Sequence, residues 1–383
     1  MLLQDKNCHP RDRFVSFQDE NHEYTVHSSK DYISVTTFVH TCFPVFNSDE
    51  VIDKMMTSSR WTSSKYFGKT KEAIQQEWEE KKNKSCEAGT MMHKSIEDFY
   101  NNIPCSSTMT STKEYQLFMD FHSMIQKEGL QAYRTEWLVY DESVRIAGSI
   151  DMVYQNSSTK EFYIYDWKRV EELKEDNKYQ KGLHLLNDIP DTNFWHYSLQ
   201  LNFYKYILEK CYDIHISGMF LVCLHPNNDT FIRRKVPDLQ TRVECLFLER
   251  RRLIEERIII SCKDGNMELP MRYVEHSALL KAFYDKGIVI SKEDWFPLEK
   301  YEKQLLEYIL QFYDLYNETP FHFHENITNI EMERLIPLSL KTFLDEISKE
   351  STVYSILDLS IYLDFSIFRH CLSYSVALLS KHI

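Results

Sequence analysis

The 383-residue sequence is poor in the residues that punctuate loops, with eight glycines and ten prolines. That scarcity excludes collagen-like and Pro/Gly-rich low-complexity chains, and no internal repeat is present. No uninterrupted apolar run reaches the roughly 20 residues of a membrane helix. The most apolar stretch, Val353 to Leu379, is broken by Asp358, Asp364, Arg369 and His370. Its opening residues, Met1-Leu-Leu-Gln-Asp-Lys-Asn, lack the apolar stretch of a secretory signal, and Asp5 argues against an Arg- and Ser-rich mitochondrial presequence. The nine cysteines are odd in number and scattered, a usage suited to reduced thiols in a cytoplasmic or nuclear compartment. A basic excess is missing too, since the formal net charge is -13. Nucleic-acid binders usually show a basic face, but net charge is a sum and says little about a single groove.

What the sequence does have is a chemically loaded hairpin. Gly148-Ser-Ile-Asp151 lies in a stretch (Arg145 to Tyr154) that reads as a strand, Asn156-Ser-Ser-Thr as a turn, and Tyr163-Ile-Tyr-Asp166-Trp-Lys168 as the partner strand. Alternate strand residues share a face, so Asp166 and Lys168 lie together and the hairpin register brings Asp151 beside Asp166. Carboxylates suit a hard divalent cation that keeps waters for a phosphate substrate. A lysine beside it can hold an attacking water, or take its proton when neutral. A strand end in solvent would explain Asp166 and Lys168 equally well, so the rest of the chain has to decide.

Four further segments follow in order. Glu87 to Tyr100 has helical spacing, with Met92, Ile96 and Phe99 as its apolar stripe and His93 and Glu97 on an adjoining face. Arg134 to Tyr140 alternates as a strand and carries Glu136. Trp195 to Leu208 is helical, with Tyr197, Gln200 and Tyr204 along one face. Ser217 to Leu224 is an apolar run of strand length, and Thr230 to Val236 is expected to pair beside it with Arg233, Arg234 and Lys235 near the sheet edge. Taken singly, each has a plain structural explanation: a packed histidine, a solvated glutamate, a core aromatic.

The order helix, three strands, helix, strand with these residues resembles the PD-(D/E)XK nuclease superfamily. Within it, the histidine helix and the downstream Gln200-x-x-x-Tyr204 resemble the branch of RecB-type nuclease domains and mitochondrial genome maintenance exonucleases, over roughly residues 15 to 260. The resemblance implies an α/β fold with an αβββαβ core, its mixed sheet flanked by helices. It implies His93, Asp151, Asp166 and the Trp167 backbone carbonyl as metal ligands for one or two Mg2+ or Mn2+ ions. Lys168 would be the catalytic lysine, with Gln200 and Tyr204 as the motif after it and Glu136 at a first-strand acidic position. The activity implied is hydrolysis of DNA phosphodiesters. Several relatives clamp this domain with an iron–sulfur cluster through closely spaced C-terminal cysteines. Here Cys211, Cys223, Cys245, Cys262 and Cys371 contain no CxxC, so neither a cluster nor a structural zinc is expected.

A nucleic-acid track is available from Lys168, Arg169, Lys205, Arg233, Arg234 and Lys235, with Lys65, Lys69 and Lys71 upstream. Abundant aromatics, 24 Tyr, 23 Phe and 6 Trp, supply stacking surfaces. The favoured substrate is therefore single-stranded or frayed DNA, in replication, repair or recombination. Residues 1–262 form the expected nuclease domain, including an N-terminal hairpin (Arg13 to Val26), a helix capped by Ser34 and a helical arch at about 47–86. A helix is expected from Pro237 to about Ile260. Residues 263–383 are read as wholly helical (Val274 to Asp285, Leu298 to Tyr316, Ile330 to Glu350, Tyr354 to His382), a region suited to docking a protein partner. Few glycines and prolines beside many Tyr, Phe, Ile and Lys are the bias of an AT-rich coding genome, a viral one included. Two rival readings stand: an RNA endonuclease of the cap-snatching type, and an inert PD-(D/E)XK module kept for binding or assembly. A zinc peptidase is excluded, because His93-Lys-Ser-Ile-Glu97 is not HExxH.

Overall fold

In the computed structural model, residues 1–285, 296–321 and 329–379 are described. The chain divides into two compact units, Met1–Phe247 and Leu248–Ile383, so the division falls earlier than the expected 262/263. Among the described residues, no helix is long and apolar enough to cross a membrane.

In the first unit a short helix α1 (Leu3–Lys6) precedes the hairpin β1 (Val15–Gln18) and β2 (Glu23–Val26), as the alternation predicts. Strand β3 (Ile33–Ser34) leads into α2 (Val35–Thr41), whose cap is Ser34 accepting from the Thr37 amide. Next come α3 (Ser48–Met56) and α4 (Lys71–Tyr100), then α5 (Ser107–Thr110) and α6 (Lys113–Lys127). The strands β4 (Leu130–Asp141), β5 (Ile146–Asn156) and β6 (Phe162–Lys168) follow, then α7 (Asn193–Cys211), β7 (Ile216–Cys223), β8 (Ile232–Lys235) and α8 (Gln240–Glu255), within which the division between the units falls. The charged segment 48–85 divides into α3 and, from Lys71, the start of α4, which runs on without a break through the histidine helix as 30 residues. Residues 79–87 of that helix are all exposed, and its first turns bear a satellite core of Ile52, Tyr66 and Ile74 with Trp61 and Trp78 packed on it.

The main sheet runs β3-β5-β6-β7-β8, with β4 on the other side of β5; β6 and β7 are parallel and β4, β5 and β6 antiparallel. Each face is covered by its own core. α2 and α7 pack Phe38, Leu199, Phe203 and Ile207 on one face, while α4 and α6 pack Met92, Ile96, Phe118 and Phe121 on the other. This explains why β7 is apolar from Met219 to Cys223. The ladder between β5 and β6 spans only Met152–Gln155 against Phe162–Tyr165, and β5 pairs with β3 only at Ile146 and Ala147. Between them, one edge of β5 from Gly148 to Asp151 has no strand partner. This opening in the sheet is where the chemistry-bearing side chains gather.

The second unit departs from the all-helical expectation. Strands β9 (Arg257–Cys262), β10 (Gly265–Pro270) and β11 (Phe296–Leu298) form a three-stranded sheet. The expected helix to Ile260 stops at Glu255 because Ile258-Ile259-Ile260 is a β-branched run. Lys263-Asp264 makes the two-residue hairpin turn, and Gly265 opens the next strand at φ +119°. Helices α9 (Met271–Val274), α10 (Ala278–Asp285), α11 (Lys303–Glu318), α12 (Asn329–Leu335), α13 (Leu338–Ile347), α14 (Val353–Tyr362) and α15 (Ser366–Leu379) complete it. Pro337 splits the expected 330–350 helix, and Asp364 at φ +54° splits the last one. The end of that last helix, 380–382, lies outside the described residues.

One titration is built into this unit. The His276 ring stacks on Tyr313 at 4.2 Å between centroids, and burial lowers its pKa from 6.5 to about 4. The folded value lies below the unfolded one, so the unfolded chain takes up this proton first. Its contribution is complete above about pH 6.5 and is lost as pH falls toward 4, at about 1.4 kcal/mol per pH unit, some 3 kcal/mol in all. Urea denaturation at pH 7 and pH 4.5 is expected to show a smaller acid loss in His276→Gln than in the parent.

Candidate metal centre

Three donors meet at the opening beside β5. His93 on α4, Glu136 on β4 and Asp151 on β5 each offer a ligand atom, all within 4.8 Å of one another. Among the described residues this is the one such group of histidine, cysteine or carboxylate side chains. The register places Glu136 opposite Asp151, between the pairs Thr135–Met152 and Trp137–Ile150. Glu136 has φ +43°, a left-handed backbone that a non-glycine residue adopts at a cost of about 1–3 kcal/mol. The kink breaks the pleat at the residue that joins the cluster. His93 Nδ1 lies 3.5 Å from Asp151 Oδ2 and 3.9 Å from Glu136 Oε1.

Asp166 and Lys168 stand behind this group. The β5–β6 ladder ends one pair before Asp151 and Asp166 would face each other, and the Trp167 amide donates instead to Asp151 Oδ2 at 2.8 Å. In a strand the N–H and C=O of one residue point to the same edge, so the Trp167 carbonyl faces this opening too. Lys168 Nζ is 2.7 Å from Asp166 Oδ2 and 4.5 Å from the centre of the Tyr197 ring. Asp166 is 2% exposed, and while Oδ2 faces the Lys168 ammonium, Oδ1 is buried without a hydrogen-bond partner. A buried oxygen left so is costly in a plain core and expected where a cation completes the site. Side-chain exposure rises from Asp166 (2%) through Asp151 (11%) and Lys168 (16%) to His93 (30%) and Glu136 (35%), so the cluster opens to solvent at its His93 end.

The charges are strongly interdependent. Burial alone would push the His93 pKa down, but Asp151 and Glu136 outweigh it and raise it to about 9. Burial and the Asp151 charge raise Asp166 to about 6 against the pull of Lys168. Burial also raises Asp151, with His93 and Lys168 opposing it. For Lys168 burial works against the charge, but Asp166 and Asp151 hold it as an ammonium. A lysine so held positions groups rather than accepting protons.

The downstream motif is present but set back. Gln200 and Tyr204 are 8% and 3% exposed, and Gln200 Nε2 donates to the Tyr204 hydroxyl at 3.3 Å. Tyr204 lies so close to β5 that a Cβ on Gly148 would sit 2.7 Å from its Cε1. The glycine therefore lets this ring pack beneath the Asp151 strand. Two site neighbours escaped the sequence reading. Ser149 donates its hydroxyl to Glu136 Oε2 at 2.8 Å. Tyr24, from the N-terminal hairpin, touches the Ser149 backbone and has its phenol pushed well up by burial and by the Glu136 charge. Ser149 was visible only as the filler between Gly148 and Asp151, and Tyr24 only as an alternating apolar position.

The expected basic track is largely consumed by internal pairs. Arg169 binds Glu114 at 2.8 Å, Lys205 binds Asp238 at 2.9 Å, and Lys69 binds Glu77. Lys71 bridges Asp49 and Asp53 at 2.9 and 2.8 Å, while Lys65 lies over the Tyr66 ring at 4.8 Å. Arg233 is a packing residue: it sits over Phe220 at 4.3 Å and binds Glu128 at 2.6 Å, on the face opposite Asp166. Arg234 pairs with Leu221, itself the neighbour of Asp166, and so shares the face of Asp166. With Lys205, Lys235 and Trp195 it lines an open groove of about 600 Å³, separate from the carboxylates, that also holds Glu175 and Asp238. All nine cysteines are free.

No protein-family model and no curated protein matches the sequence. Among solved structures, the crystal structure of SSO0001 aligns with 58% of this chain and 76% of its own, at 11% identity and a TM-score of 0.24. A likeness that weak carries no argument about fold or activity.

Proposed function

We propose that this chain is a divalent-cation-dependent deoxyribonuclease of PD-(D/E)XK type that acts as an exonuclease on single-stranded or frayed DNA ends. The observation that carries the reading is the meeting of His93, Glu136 and Asp151 within 4.8 Å, with the Asp166–Lys168 pair directly behind. The donor set fits Mg2+ or Mn2+, since carboxylate oxygens suit both hard cations and an imidazole nitrogen is tolerated by Mn2+. Relative to the resemblance, Glu136 joins His93 and Asp151 in the front group, and Asp166 takes the rear position against Lys168. When bound, such an ion neutralises charge on the scissile phosphate and acidifies a water.

The protein groups supply the rest. Asp151 carries the negative charge shared between the two halves of the cluster. Lys168, fixed by Asp166 and by the Tyr197 face, presents N–H donors to a phosphate oxygen or an attacking water. Gln200 and Tyr204 buttress β5 from below. The charge pattern is compatible with this reading. A net charge of -13 and mostly paired basic residues give a weak grip on phosphates, which suits an enzyme that releases and steps.

Matched DNA and RNA oligonucleotides, single- and double-stranded, labelled and blocked at either end, incubated with Mn2+, form the test. The expected outcome is stepwise shortening of single-stranded DNA from an unblocked end. Cleavage of RNA alone would favour the cap-snatching type, and divalent binding without any cleavage would favour an inert module.

A further inference from the structure

Both front carboxylates have one oxygen already committed to a protein donor. Ser149 Oγ donates to Glu136 Oε2 at 2.8 Å, and the Trp167 amide donates to Asp151 Oδ2 at 2.8 Å. Glu136 Oε1 is the oxygen turned toward His93. Held at Oε2, Glu136 turns one oxygen toward the site rather than the bisector between two. Hard cations divide on that difference. Ca2+ takes about six to eight oxygens and readily uses both oxygens of a carboxylate, whereas Mg2+ demands a tight octahedron built from single carboxylate oxygens and waters.

We infer that Ser149 is a positioning residue that makes Glu136 a one-oxygen ligand, so that the site selects a small octahedral cation, Mg2+ or Mn2+, over Ca2+. The inference rests on reading the cluster as a divalent-cation site and adds its selectivity. The backbone on both sides is fixed for the task. Ser149 is held in the β4–β5 ladder opposite Leu138, and Glu136 is held in its left-handed conformation at φ +43°. Side-chain rotation of Glu136 is therefore the freedom that remains, and the Ser149 hydroxyl removes it. At Asp151 the Trp167 amide binds Oδ2, the same oxygen that lies 3.5 Å from His93, so Glu136 is the carboxylate whose held and site-facing oxygens differ, and Ser149 is the element a substitution can remove.

Calorimetric titration of the metal-free full chain with Mg2+, Mn2+ and Ca2+, without nucleic acid, tests this. The parent is expected to bind Mn2+ and Mg2+ more tightly than Ca2+. Ser149→Ala is expected to lower the Mn2+-to-Ca2+ affinity ratio about tenfold, the scale of one hydrogen bond to a charged group. Ser149→Thr keeps the hydroxyl and is expected to keep the ratio. Ser149→Val, with the same shape as Thr but no hydroxyl, is expected to lose it, so the comparison survives even where Ala misfolds. An unchanged ratio in the Ala and Val variants overturns the selectivity role and leaves the cation site standing. An equal loss of all three ions in those variants also overturns it, as the mark of a merely structural residue. A parent chain that binds no divalent ion overturns the selectivity and the reading of the site together.

Discussion

Lys168→Ala slows phosphodiester cleavage by about 10²–10³-fold or more at saturating Mn2+, while binding of single-stranded DNA persists; this is the expected result. The size follows from removing one preorganised charged donor from a water-poor site. Lys168 is 16% exposed, 2.7 Å from Asp166 Oδ2 and stacked over Tyr197, so its ammonium is fixed in place. Lys168→Arg is expected to rescue poorly, because a planar fork does not fill the place of a point-like ammonium. Single-turnover digestion of an end-labelled oligonucleotide gives the rate, and a gel-shift titration gives binding. A variant that cuts at the parental rate removes Lys168 from the chemistry.

Asp151→Asn has the second large effect, on cation binding rather than on chemistry alone. Asp151 touches both halves of the cluster: its Oδ2 lies 3.5 Å from His93 and accepts from the Trp167 amide, and its charge acts on Asp166 and Lys168. The amide oxygen of Asn can keep the bond to Trp167, so the fold is expected to survive. The charge is lost, and with it Mn2+ affinity by more than about a hundredfold, since even residues that merely support ligands cost 10–100-fold. Calorimetry on the metal-free chain reads this out, and parental affinity in the variant would remove Asp151 from the ligand set.

Much of this arrangement was legible in the residues. Alternation gave the N-terminal hairpin, β4, β5 and β6; helical spacing gave α7; and an unbroken apolar run marked β7 as a strand covered on both faces. The pairing of Asp166 with Lys168 followed from strand periodicity alone. Glu136 was harder to place, because its approach to His93 goes with a left-handed backbone inside a strand, a local cost that pattern reading cannot foresee. The basic track failed for a different reason: single lysines and arginines reveal nothing about the acids that fold against them, such as Glu114 for Arg169 and Glu128 for Arg233. In the second unit, Lys263-Asp264 followed by Gly265, and the Ile258–Ile260 run, were readable turn and strand signals overshadowed by the helical pattern around them.

The central claim is that His93, Glu136 and Asp151 hold a divalent cation in front of Asp166 and Lys168. Crystals soaked in Mn2+ and measured near the manganese absorption edge test it most directly. A strong anomalous peak within ligand distance of all three side chains, lost in Asp151→Asn, is the result this account predicts. A peak elsewhere on the chain, or none beside these residues at saturating Mn2+, would contradict it.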